Sequence, residues 1–129
     1  MDKPMNTKYV FEFEDGTSCE MTLSFYVLYL LRAKNKTLYS RYNKTMSAMA
    51  DEKYEYDELD SLLILYAAYC CANINEPAET IMSEEEFFIK CGSDRIAVSN
   101  AFVSLTNPKK AKATVKPSEE KQENEKTEK

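Results

Sequence analysis

The sequence contains no histidine, no tryptophan and only two glycines among its 129 residues. Without histidine the chain lacks the commonest general base and the commonest nitrogen ligand for metals. With glycine confined to Gly16 and Gly92, neither a P-loop nor a G-x-G-x-x-G turn can be built. No G-x-S-x-G nucleophile elbow occurs. The cysteines, Cys19, Cys70, Cys71 and Cys91, form no C-x-x-C pair, so zinc-ligand spacing is missing too. The longest apolar run, Leu62–Ala72, falls well short of the roughly 20 residues that span a bilayer. We therefore expect no cofactor, no metal site and no membrane association.

Charge divides the chain in two. From Pro108 onward there are seven lysines and five glutamates, a balance of +2, which leaves −7 of the overall −5 on residues 1–107. An acidic body repels phosphate, so a nucleic-acid partner is not expected and protein partners are. The opening segment MDKPMNTK is polar, and we expect no secretory signal there. Reduced thiols follow as the expectation for the cysteines.

Periodicity predicts an α+β fold, mainly α: an N-terminal β-hairpin, four to five helices and a disordered C-terminal tail. Residues 1–107 are expected to form one globular domain, and residues 108–129 a charged tail. Residues 8–23 read as the hairpin. Tyr9, Phe11 and Phe13 alternate onto one face, as do Cys19, Met21 and Leu23 on the return strand. Asp15-Gly16 predicts a type I′ turn between the strands. A lone hairpin is marginal in water, so it must pack on helices or on another chain.

Helices are expected at about 25–34, 38–46, 56–74, 83–91 and 93–106. Ser24 is placed to cap the first, and Asn35-Lys36-Thr37 to interrupt it. Leu38, Tyr42 and Met46 mark a stripe on the second, followed by a loop over SAMADEKYE. On the third, Leu59, Leu62, Leu63, Tyr66, Tyr69, Cys70 and Ile74 trace an apolar stripe, with Ile64, Leu65 and Ala68 outside it. A helix apolar most of the way round is either central or shared between subunits. Ser83 and Glu86 form the S-x-x-E capping box of the fourth helix, and Gly92 suits its stop. Ser93 is read as the start of the fifth, on which Val98, Phe102 and Leu105 align. Pro108 ends it.

The carboxylate clusters have structural readings. SEEE (Ser83–Glu86) and DELD (Asp57–Asp60) both sit where a helix starts, and the second lacks the alternation and glycine of a calcium loop. Vicinal Cys70-Cys71 is either a redox pair or two small buried hydrophobes, and an apolar setting favours the inert reading. The nine tyrosines are the unusual feature. Tyrosine combines apolar area with a polar tip, so it serves a core margin or an interface equally well. The candidate partner or self-association residues are Tyr39, Tyr42, Leu59, Leu62, Leu63, Tyr66, Tyr69 and Phe102.

The ordered segments YVFEFEDG, YSRYNKTM, LDSLLILYAAYCCAN, MSEEEFF and SLTNPKK resemble those of tail assembly chaperones. Such chaperones are encoded by long-tailed phages and prophages of Gram-positive bacteria. The resemblance covers roughly Lys8–Lys110 and implies a non-enzymatic protein of the host cytoplasm, absent from the mature virion. It implies binding to the tape-measure protein, contact with the tail-tube protein as that polymerises, and homo-oligomerisation. It also implies a longer product made by −1 frameshifting. The sole Lys-Lys pair, Lys109-Lys110, is where a slippery codon pair would sit. Two other classes compete: an acidic inhibitor of the DNA-mimic type, and an enzyme working through carboxylates alone. The carboxylates concentrate at helix starts rather than along a face, which disfavours the first, and the second needs a metal and a pocket.

Overall fold

In the computed structural model the described residues are 8–107. The expected tail, with Lys109 and Lys110, lies outside them. The order is β1 (Tyr9–Glu12), β2 (Ser18–Met21), α1 (Phe25–Lys34), α2 (Lys36–Met49), α3 (Glu58–Ala72), α4 (Glu84–Cys91) and α5 (Arg95–Thr106), with a short 3-10 turn at Ala78–Thr80. This is the mainly helical α+β fold that the periodicity predicts.

β1 and β2 pair antiparallel, with Tyr9 opposite Met21 and Phe11 opposite Cys19. The connection differs from the type I′ turn expected. Gly16 alone has positive φ, at 90°, and no non-glycine residue does. Phe13 accepts from Gly16 N at 3.0 Å and donates to Thr17 O at 2.7 Å. The result is a three-residue loop with glycine in the left-handed position. The Asp15 carboxylate explains the choice. It accepts from the backbone N–H and the hydroxyl of Thr17, at 2.9 and 2.6 Å, and so closes its own turn.

The hairpin packs on helices, α3 against β2 and α5 against β1. Beyond β2, Thr22 N donates to the carbonyl of Ala68 on α3 at 3.1 Å. α3 also touches α1, α2, α4 and α5, and is the central helix. Its burial is wider than the predicted stripe. Ile64, Leu65, Ala67 and Ala68 are fully buried alongside Leu63, Tyr69, Cys70 and Cys71, whereas Leu59 remains 59% exposed. The stripe assumed one packed face, but a hairpin and four helices surround most of the helix.

Helix ends shift by a few residues, each for a local reason. Asn35 ends α1 and also caps α2, accepting from Leu38 N at 3.1 Å, so the break is one residue long. α2 continues to Met49, through part of the segment expected as loop. Asp57 caps α3, accepting from Leu59 N at 2.9 Å. α5 begins at Arg95 because Asp94, not Ser93, caps it through Ala97 N at 3.1 Å. Ser83 caps α4 through Glu86 N at 3.1 Å, as the S-x-x-E motif predicts. Ser24 occupies the cap position of α1 without a side-chain cap bond.

The core is centred on aromatic rings. Phe87 is fully buried and meets Phe13, Tyr66, Tyr69 and Phe88, with ring centroids 5.4–6.4 Å apart. No helix among the described residues is long and apolar enough to cross a membrane.

Candidate interaction surfaces

Among the described residues, apolar side chains stay exposed in several places, Ile89 beside Phe88 and Ile96 on α5 among them, and two of these surfaces combine a depression with aromatic residues. The first belongs to α1. Its sequence, FYVLYLLRAK, has more large apolar residues than the core can take, and only Leu28 and Leu31 are buried. Phe25 is 90% exposed, and Tyr26 and Tyr29 are exposed beside it. The two tyrosine rings stack, with centroids 6.2 Å apart and planes 25° apart. A depression of about 310 Å³ lies between α1 and α2, lined by Phe25, Leu28, Tyr29, Arg32, Tyr39, Tyr42 and Asn43. The Arg32 guanidinium sits over the Tyr39 ring at 5.9 Å. Arg32 is the one cation in that lining, since the exposed Lys34 turns away and donates to the Ile74 carbonyl at 2.7 Å.

The second is a groove of about 680 Å³ between the start of α3 and the α4–α5 corner. Leu62, Cys91 and Val98 line its deeper part, and Tyr56 and Leu59 its exposed part. Glu55, Asp57, Glu58 and Asp94 supply four carboxylates to its lining, against one cation, Arg95. That cation is already engaged, since Arg95 Nε donates to Glu58 at 2.8 Å. The segment leading into α3 is fixed by its tyrosines. Tyr54 donates to Asp60 at 2.8 Å and accepts from Asp57 N at 3.1 Å, while buried Ser61 donates to Tyr56 at 3.2 Å. A groove with this firm wall needs little ordering when a ligand enters.

Placement divides the eight candidate residues. Leu63, Tyr42 and Tyr69 are buried in the core. Tyr66 and Tyr69 act together on the segment entering α4: Tyr66 donates to the carbonyl of Met82, and Tyr69 accepts from its N–H, both at 2.8 Å. Burial pushes Tyr42 up to about 12 and raises Tyr66 and Tyr69, so all three stay neutral phenols. Phe102 is half-buried against the core. Leu59 and Leu62 line the groove, and Tyr39 lines the α1–α2 depression. The structure adds Phe25, Tyr26, Tyr29 and Tyr56, which the candidate set omits. The tyrosine excess in α1 was the available signal for two of them.

The cysteines are all free, three buried and Cys19 partly so. Desolvation pushes Cys70 up to about 11 and Cys19, Cys71 and Cys91 up to about 12. They pack as small hydrophobes. Among the described residues no group of three or more His, Cys, Asp or Glu is placed to hold a metal ion.

Comparison with protein families, with curated proteins and with solved structures gives no match. The functional reading therefore rests on the surfaces themselves and on the order of segments in the sequence.

Proposed function

We propose that this chain is a tail assembly chaperone, which holds a long helical tape-measure protein in soluble form while a tail tube polymerises around it. The carrying observation is the groove beside α3, in which Tyr56, Leu59 and Leu62 are left partly or wholly uncovered. An apolar groove walled by helices suits the apolar face of an amphipathic helix, read as anchors at i, i+3, i+4 and i+7. The acidic lining favours segments with lysine or arginine beside those anchors and keeps an abundant assembly factor from self-precipitating. The resemblance of YVFEFEDG, YSRYNKTM and MSEEEFF to the chaperone family supplies the identity of the partner.

Co-expression tests the reading. The product of a long, helix-rich reading frame beside this gene should be insoluble alone and soluble with this chain present. A partner equally insoluble in both cases, or a gene neighbourhood with no such frame, would contradict the proposal. The nucleotide sequence at Lys109-Lys110 tests the two-product arrangement separately, since frameshifting there needs an A-rich slippery heptamer.

A further inference from the structure

We propose that residues 109–116, which follow α5 and lie outside the described residues, return along α5 and occupy the acidic groove of the same molecule. The first support is charge. This stretch reads KKAKATVK, with four lysines, Lys109, Lys110, Lys112 and Lys116, and no acidic residue. The glutamates of the tail all come later, from Glu119 onward, so its basic part is the part next to the acidic body. The groove sets carboxylates around apolar surface. Glu58 already holds Arg95, whereas Glu55, Asp57 and Asp94 have no cationic partner among the described residues.

Reach is the second support. Asp94, Arg95 and Val98 place the groove at the start of α5, and the tail leaves from its other end, after Thr106. A helix of 12 residues is about 18 Å long, a distance that about six residues of extended chain cover. Lys112, Val115 and Lys116 can therefore come level with Tyr56 and Leu59. The third support is the pattern of the stretch. Ala111, Ala113 and Val115 alternate with Lys112, Thr114 and Lys116. Extended chain turns the small apolar side chains to one side, toward Leu59 and Leu62, and the long lysine stems bring their charge to the carboxylates. Small side chains and exposed charges make a weak contact, but a tether this short holds the segment at an effective concentration of the order of millimolar. The docked segment covers the groove and yields to a ligand with larger apolar anchors. Displacement by a helical partner rests on the functional reading above; the docking does not.

NMR spectra of the isotope-labelled full chain test the inference. The double substitution Lys110→Glu, Lys112→Glu reverses charge in the tail and leaves the groove itself untouched. Against wild type at low salt, amide shifts should change at Tyr56, Leu59 and Asp94 as well as in the tail. The groove changes should vanish at about 0.5 M salt, where screening is strong. The heteronuclear NOE of residues 109–116 should fall in the variant toward that of residues 119–129. Glu55→Lys, at an exposed groove position, should release the tail in the same way. If Glu55→Lys misfolds by circular dichroism, the tail variant alone decides. Groove amides identical in wild type and tail variant overturn the inference, as do changes that map to another surface of the body. Groove changes that grow with protein concentration assign the tail to a second copy and overturn the intramolecular contact. A chain with an undocked tail that still solubilises the long helical partner removes this inference and leaves the proposed function standing. A chain with a docked tail that fails to solubilise it does the reverse.

Discussion

The carboxylate of Glu14 accepts the backbone N–H of Ser93 at 3.1 Å, tying the hairpin loop to the corner between α4 and α5. Gly92 makes the approach possible. Its φ is 64°, and a Cβ there would run into the Glu14 carboxylate. Gly92→Ala should therefore destabilise the protein mainly through backbone strain, with a smaller part from the collision, which the exposed Glu14 side chain relieves by giving up its bond to Ser93, at a combined cost of about 1–3 kcal/mol. Urea unfolding of Gly92→Ala with and without Glu14→Ala separates them. The double variant should recover the collision part only, and full recovery would show that the backbone there is unstrained.

Phe87 is the ring on which the hairpin, α3 and α4 converge, and truncating it leaves a cavity that rigid neighbours cannot close. Phe87→Ala should cost about 3–5 kcal/mol, a large share of a small domain's stability. Thermal or urea unfolding measures it. A loss below about 1 kcal/mol would mean that the site repacks.

Much of this core was legible in the sequence because short-range rules govern it. Alternation gave the two strands, and S-x-x-E gave the start of α4. The buried arc of α3 was read too narrowly. Ile64, Leu65 and Ala68 are fully buried on a helix that packs against β2 and all four other helices, and no local pattern states how many neighbours a helix will have. The turn type failed for a related reason, since Asp15 satisfies its own loop through Thr17 rather than through positive φ. The groove was partly visible in Leu59 and Leu62. Its other wall, the α4–α5 corner with Val98, is brought there only by tertiary packing.

Acid should release one surface contact selectively. Arg41 donates two bonds to Glu84, at 2.8 and 2.9 Å, linking α2 to the start of α4. Those bonds hold the Glu84 carboxyl below its ordinary value of 4.5. A folded-state pKa below the unfolded one stabilises above pH 4.5, and the gain is lost as pH falls through the lower folded value. The pair is exposed to solvent, so its contribution stays below about 1 kcal/mol. Glu84→Gln should remove that part of the acid sensitivity, measured as the difference in unfolding free energy between pH 7 and pH 3. An unchanged pH profile would place the acid response elsewhere.

The thiols should resist modification in the native state. Reactive thiolate is scarce when burial holds Cys70 at about 11 and Cys71 at about 12. A thiol reagent at pH 8 should label the folded protein slowly at all four cysteines and the guanidinium-unfolded protein rapidly. Fast native labelling of Cys70 or Cys71 would revive the redox reading of the vicinal pair.

The central claim is that the groove beside α3 holds the apolar face of a long helical partner. Affinity between the purified chain and the tape-measure candidate encoded beside it, measured for wild type and Leu59→Asp, tests this most directly. Leu59 is exposed in the groove wall, so the substitution should leave the circular dichroism spectrum unchanged. A charge at a central apolar anchor should weaken binding by about 2 kcal/mol or more, roughly thirtyfold. Equal affinity of wild type and a folded Leu59→Asp would contradict the account.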